Sequence, residues 1–262
     1  MEDKLAKLEQ VLTPYLDSLD LQKLSKHNKS YLHYNEDRFA RFVRDEWPYH
    51  CRIYEWYKAN AKPGSHILEV GCFIPVIPLL LTWEGFKVTT IEKLSLYDGA
   101  LDGLEKILQE NQVDFINDDI LEYDFKDKYD YVNLLAVVEH LNGSPQVLLA
   151  KLQKLVADSQ GKFLFVVPNH ARLANRLKLL LGASAHPSFA DYWESAYPFT
   201  GHNREYTFAE SKYALERSGF KLEDMRGINY QAGLSMKGLL NGVSHILPNT
   251  FSHAVFAVAC AD

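Results

Sequence analysis

The stretch HILEVGCFIP, residues 66–75, decides how the rest of the chain is read. Its first six residues are mostly apolar, and Lys62-Pro63-Gly64-Ser65 breaks the pattern just before them, so they read as a short buried strand. Gly71 permits a tight turn and close backbone approach, and the apolar run after Pro75 predicts a helix over about 76–84. The same alternation continues downstream. FKVTTIE (86–92) predicts a second strand and 98–110 a helix; VDFIN (113–117) and YDYVNLLAV (129–137) predict two more strands. A helix over about 145–157, Gly161 and the strand KFLFVVP (162–168) complete the run. Short β-rich segments separated by helices of about ten residues imply an α/β fold, a mainly parallel sheet covered on both faces.

Working outward, residues 1–62 read as an N-terminal helical cap: Leu5, Leu8, Val11 and Leu12 recur at helical spacing, and aromatic residues crowd 31–57. On the other side, 169–205 interrupts the rhythm with the amphipathic ARLANRLKLLLG and a tract rich in His, Pro and aromatics. That helix is expected either to pack on the core, to cover the substrate, or to touch an anionic membrane surface. Regularity returns with TFAESKYALERSG (207–219), where Thr207 and Glu210 form a capping-box pattern and Gly219 a stop. FKLEDMRG and the apolar SHAVFAVACA follow, with a second insertion at about 230–250 between them. The main domain therefore runs over 63–262.

A chain of 262 residues with 47% hydrophobic and 24% charged residues is long and apolar enough to bury its own core. The net charge of −6 argues against a broad nucleic-acid surface. Three cysteines without CxxC spacing suit a reducing cytoplasm and give neither a zinc site nor a disulfide framework. The charged start MEDKLAKLEQ is not a signal peptide, and no apolar run approaches the ~20 residues needed to span a bilayer. A cytoplasmic protein without stable membrane insertion is expected. The N-terminal helices are expected either to cap the cofactor or to form a homodimer interface.

Chemistry concentrates where the strands end, the edge at which open α/β sheets bind ligands. The first strand ends Glu69-Val70-Gly71-Cys72, and the second at Glu92, at the distance from Gly71 that suits an acid accepting ribose hydroxyls. The third ends Asn117-Asp118-Asp119-Ile120, and the fourth runs into Ala136-Val137-Val138-Glu139-His140. One such carboxylate is usually a solvated cap. Several in register along one sheet edge form a pattern.

These residues resemble the class I S-adenosylmethionine-dependent methyltransferases over roughly 63–262. ILEVGC is similar to the family's first cofactor motif, YDYVNLLAVVEHL to its fourth-strand motif, and SHAVFAVACA to its closing strand. The resemblance implies a Rossmann-like three-layer sandwich: a seven-stranded sheet with an antiparallel C-terminal strand. It implies S-adenosyl-L-methionine as cofactor, with Glu69 near the methionine amino end, Gly71 and Cys72 in the loop, and Glu92 at the ribose. Asp119 with Ile120 would lie on the adenine side, Asp118 being a register alternative, and Ala136 at the fourth strand end. Phe73 and Pro75 depart from the pattern, standing where the family usually has glycines. The expected reading is a reshaped loop; a methyltransferase-like binding protein without activity is the alternative. A nicotinamide-dependent oxidoreductase would require GxGxxG at the first turn, which is missing.

Methylation of a hydroxyl benefits from a general base, and histidine is the usual choice near neutral pH. His202 in GHNREYT and His140 after the fourth strand are the candidates, with His170 and His186 behind them. The expected acceptor is a sugar or another small molecule, methylated on oxygen.

Overall fold

The computed structural model describes residues 1–34, 37–157, 161–229 and 236–261. Seven strands form one sheet: β1 (His66–Val70), β2 (Lys87–Glu92), β3 (Asp114–Asn117), β4 (Tyr131–Leu135), β5 (Lys162–Pro168), β6 (Phe220–Ile228) and β7 (Ala254–Ala261). Their order is β3-β2-β1-β4-β5-β7-β6. β1 to β5 pair parallel, while β7 runs antiparallel between β5 and β6. The expected seven-stranded sheet with its antiparallel C-terminal strand is the observed one.

Helices flank it in chain order: α1 (Glu2–Ser18), α2 (Leu21–His27), α3 (Trp47–Asn60), α4 (Val76–Thr82), α5 (Leu104–Glu110), α6 (Gln146–Leu155), α7 (Leu173–Leu180), α8 (Phe189–Glu194), α9 (Phe208–Arg217) and α10 (Met236–Ser244). Alternate strand residues feed two cores, as the two-residue period of a strand requires. Ile67, Leu164 and Val166 join the cluster that holds Leu8, Leu12, Leu16, Ile53 and Tyr57 of the N-terminal helices. Leu68, Val70, Phe163 and Phe165 join the other, with Leu148, Leu152 and Leu215 of α6 and α9. Residues 1–62 therefore share a core with one face of the sheet.

Local chemistry sets several boundaries. Thr207 accepts from the Glu210 amide while the Glu210 side chain reaches back, so the capping box forms and α9 starts where its sequence predicts. Gly219 then takes φ +83° and stops it. The helix expected over 98–110 is shorter: Asp98 and Gly99 both adopt left-handed backbone (φ +50° and +77°), and α5 starts only at Leu104. β4 ends at Leu135 rather than 137, because Ala136 turns to φ +55°. The amphipathic helix over 171–181 condenses to α7, and its leucines do not pack inward; Asn175 is its buried residue, and Leu179, Leu180 and Leu181 stand exposed. The second insertion contains α10; residues 230–235 lie outside the described part.

Candidate functional site

β1 has β2 on one side and β4 on the other, so the strand order reverses there and the connections part to leave a crevice at the carboxyl ends. A cavity of about 450 Å³ occupies that place, within the range of small-ligand pockets. Nine of the sequence candidates line it: Glu69, Gly71, Cys72, Glu92, Asp118, Asp119, Ile120, Ala136 and His140. His202 is not in the lining; it stands behind His140, the two ring centroids 4.9 Å apart.

Gly71 is held at φ +75°, and a Cβ added there would stand 2.6 Å from Cγ2 of Val137. The turn after β1 thus needs glycine for both conformation and space. Phe73, in contrast, avoids left-handed backbone, and Pro75 sits as the N-cap of α4 at φ −81°. The Phe73 ring packs against Tyr31, Phe42 and Tyr97 at centroid distances of 5.9, 6.1 and 5.6 Å, and the Tyr15 hydroxyl donates to its carbonyl (2.9 Å).

Carboxylates dominate the walls. Glu69 is buried opposite Asn133 of β4, whose Nδ2 donates to Glu69 Oε2 (2.7 Å), while Tyr57 O–H donates to Asn133 Oδ1 (2.6 Å). Burial pushes the Glu69 carboxyl up to about 8, against the pull of the Asn133 hydrogen bond. Glu92 accepts from the amides of Cys72 and Lys93, both at 3.0 Å, tying the β1 turn to the end of β2. Burial raises its carboxyl as well, offset in part by those two amides. Asp119 accepts from the Leu121 amide (2.8 Å) and pairs with Lys93 (2.9 Å). Burial works against the charged form, but these partners outweigh it and hold Asp119 below its ordinary value.

The N-terminal region supplies a wall whose individual residues no motif singled out: Tyr31, Phe42, Tyr49 and His50 line the cavity. His50 is buried with no hydrogen-bond partner on either ring nitrogen among the described residues, and burial holds it neutral, down to about 3. Aromatic density over 31–57 was the available signal; its destination depended on tertiary packing.

Beyond His140 lies a polar cluster. The His140 Nδ1 faces the carbonyls of Thr200 (2.9 Å) and Gly201 (3.1 Å), so that nitrogen carries the proton and Nε2 keeps its lone pair. Burial, then the neighbouring His202, lowers His140 to about 4. His202 Nδ1 donates to Glu205 Oε1 (3.2 Å), and its Nε2 lies 4.0 Å from Glu139 Oε1. Burial opposes charge on His202, but the Glu205 hydrogen bond and the Glu139 and Glu205 charges raise it above its ordinary value. Glu205 is fixed by Arg172 (2.5 Å) and Asn175 (3.4 Å). Glu139 is fully buried, and burial pushes it up to about 7. His170 and His186 meet at a tilt with ring centroids 5.1 Å apart, outside the cavity lining.

A second, larger space of about 1310 Å³ opens beside the first and shares Leu141, Asn142 and Phe199 with it. Tyr192, Trp193, Tyr197 and Tyr213 form its walls, with Ser144, Gln146 and Arg204 among the polar groups.

Solved structures with this fold include three methyltransferases. Magnesium protoporphyrin IX methyltransferase of Synechocystis, with S-adenosylhomocysteine bound, has 16% identity and a TM-score of 0.54, over 83% of this chain and 85% of that one. The N-methyltransferase NodS of Bradyrhizobium japonicum, also with S-adenosylhomocysteine, has 13% identity and a TM-score of 0.54, over 90% and 98%. A methyltransferase of Clostridium acetobutylicum has 12% identity and a TM-score of 0.56, over 89% and 98%. At these identities the likeness is one of fold. None of the curated protein sequences matches the chain. A methyltransferase-domain family model, however, matches residues 31–224, across the whole crevice and most of the chain's length. The chain therefore belongs to the methyltransferase-domain family and is a class I S-adenosylmethionine-dependent methyltransferase.

Proposed function

We propose that the protein methylates a hydroxyl of a sugar or another small polar molecule, with the cofactor in the 450 Å³ crevice and the acceptor in the adjoining aromatic groove. The observation that carries this reading is the junction of the two spaces at Leu141, Asn142 and Phe199, beside His140.

The crevice fits the cofactor's chemistry. A buried carboxylate with a raised pKa, as Glu69 has, gains most from a cationic partner such as the methionine ammonium. Each Glu92 oxygen accepts one backbone amide, and with Tyr97 as a further donor the carboxylate keeps acceptor capacity for a ribose hydroxyl. Gly71 leaves room for close approach at the turn, with Cys72 following it, and Ala136 closes the opposite side. Asp119, or Asp118 beside it, together with Ile120 faces the adenine end. Residues 1–62 act as the cap, contributing Tyr31, Phe42 and His50 to exclude water.

The cofactor supplies a sulfonium-bound methyl: the acceptor oxygen forms the new bond to carbon, the carbon–sulfur pair returns to sulfur, and the acceptor's proton leaves. This chain's part is to align the acceptor, an effect worth up to ~7–11 kcal/mol for ideal positioning, and to receive the proton. The exposed faces of Trp193 and Tyr197 offer stacking surfaces for sugar rings, with Asn142, Ser144 and Gln146 as hydroxyl partners. The proton passes toward the Glu139–His140–His202 cluster at the junction.

The test screens hydroxylated acceptors, sugars and nucleotide sugars first, for S-adenosylhomocysteine formation, followed by His140→Gln and His202→Gln on the acceptor found. A drop in turnover of 10²-fold or more in either variant is the expected result. Unchanged turnover in both would remove the cluster from the mechanism. Transfer only to amines would overturn the oxygen assignment.

A further inference from the structure

The Glu139–His140–His202 cluster has a feature that proton handling does not require. Its two imidazoles are tethered at Nδ1, one by the carbonyls of Thr200 and Gly201 and the other by the Glu205 carboxylate. Nε2 of His202 lies 4.0 Å from Oε1 of the fully buried Glu139, and Nε2 of His140 keeps its lone pair. Neither Glu139 oxygen has a hydrogen-bond partner among the described residues, although an unpaired buried carboxylate costs several kcal/mol. One ligand atom from each of the three residues lies within 4.8 Å of the other two.

We propose that Glu139, His140 and His202 bind one divalent first-row transition-metal cation. Metal-bound histidine characteristically donates its other ring N–H to a carbonyl or carboxylate, which fixes the tautomer and the ring's orientation. Both imidazoles here already have that second bond, and Arg172 and Asn175 hold the Glu205 that orients His202. A cation would also supply the partner Glu139 lacks. Two imidazoles and one carboxylate suit Zn²⁺, Mn²⁺ or Fe²⁺ rather than Ca²⁺, and three protein ligands leave coordination positions open. With bonds of about 2.0–2.2 Å, the donor atoms would draw together to about 3.4 Å, a movement within the reach of side-chain rotation. Of the three ligands, His140 is the one that also lines the cofactor cavity, beside the junction with the acceptor groove. Resting on the methyltransferase reading, the cation's role is to coordinate the acceptor oxygen and hold it toward the transferable methyl. That favours acceptors with two adjacent oxygens, such as a vicinal diol.

The experiment uses the full chain, tag-free and stripped with chelator, titrated with CoCl₂ and followed by visible absorption, with S-adenosylhomocysteine binding measured by calorimetry on the same stripped protein. One equivalent of Co²⁺ should bind with an imidazole–carboxylate spectrum, competed by Zn²⁺. Glu139→Gln and His202→Gln should each abolish that spectrum, and Glu205→Gln, which loosens the tether of His202 without removing a ligand, should weaken binding by about 10–100-fold. Wild-type protein that binds S-adenosylhomocysteine but no Co²⁺ overturns the metal site and leaves the methyltransferase reading intact. Co²⁺ bound equally by wild type and by both ligand variants also overturns it. Co²⁺ bound through these residues without S-adenosylhomocysteine binding supports the site and removes its role in methyl transfer.

Discussion

On the proposed placement of the ligand's ammonium group at Glu69, which must ionise to receive it, binding of S-adenosylhomocysteine should tighten steeply with pH. Burial holds the free Glu69 carboxyl at about 8. Only about 1% of sites are then ionised at pH 6 and about half at pH 8, so affinity should rise about 50-fold between them, equivalent to about 2.3 kcal/mol. At pH 7 close to one proton should leave with each ligand bound, read by calorimetry in buffers of different ionisation heat. Glu69→Gln should flatten the profile and bind at pH 8 no better than wild type does at pH 6. Its neutral amide keeps the Asn133 contact, so loss of fold is not the expected outcome. The variant also separates Glu69 from Glu139, which burial raises to about 7 on the far side of His140. His50 and His140, lowered to about 3 and 4, stay neutral throughout the window. A raised carboxyl favours the folded state below its unfolded value, and that contribution fades as pH rises toward 8. The ligand-free protein should therefore lose stability over that range, and the ligand should offset the loss. A wild-type affinity that changes less than twofold from pH 6 to 8, without proton release, would refute the reasoning.

Four further outcomes follow from the geometry. Gly71→Ala should cost roughly 1–2 kcal/mol from left-handed strain alone, before the clash with Val137, and should weaken ligand binding; denaturant unfolding and calorimetry measure the two effects. Ala136 sits at φ +55°, so Ala136→Val should destabilise by at least about 1–2 kcal/mol while Ala136→Gly relieves strain, as their thermal midpoints will show. Trp193→Ala and Tyr197→Ala, at side chains 75% and 87% exposed, should raise the acceptor KM with stability within about 0.5 kcal/mol and S-adenosylhomocysteine affinity unchanged. Glu84 receives Lys4, Tyr54 and Lys58, which outweigh its desolvation and hold it down at about 2. Glu84→Gln should accordingly cost about 1 kcal/mol at neutral pH, and the two unfolding curves should converge as pH falls from about 4.5 to 2.

What the sequence disclosed about the fold was what local chemistry determines. β1 and β5 are mostly apolar and β2 is rich in β-branched residues, compositions that favour strands, while Thr207 and Glu210 mark the start of α9 by their hydrogen bonds and Gly219 its end by left-handed backbone. The strand-end residues were legible for the same reason, since a parallel sheet brings successive carboxyl ends to one edge. Length errors arose where single residues took left-handed backbone: Asp98 delays α5, and Ala136 ends β4 early. Nothing in the identity of an aspartate or alanine announces that choice. The relation of His140 to His202 was illegible too. They stand 62 positions apart in the chain, and only the return of the chain past Thr200 and Gly201 brings the rings together.

The departure at Phe73 and Pro75 is best understood from the N-terminal helices. A glycine-rich cofactor loop is shaped by its own backbone freedom, whereas this loop has given that freedom up beyond Gly71. Its shape must then be held from outside, by Glu92 accepting from the Cys72 amide and by the N-terminal region: the Tyr15 hydroxyl on the Phe73 carbonyl, and Tyr31 and Phe42 against the Phe73 ring, with Tyr97, after β2, completing the cluster. The same cap places His50 and Tyr49 in the cavity wall. Loop and cap are thus one unit, in which the glycines' conformational role has passed to aromatic packing. Loosening the cap, for example with Tyr15→Phe or Tyr31→Ala, should therefore weaken cofactor binding, although neither side chain belongs to the strand-end motifs.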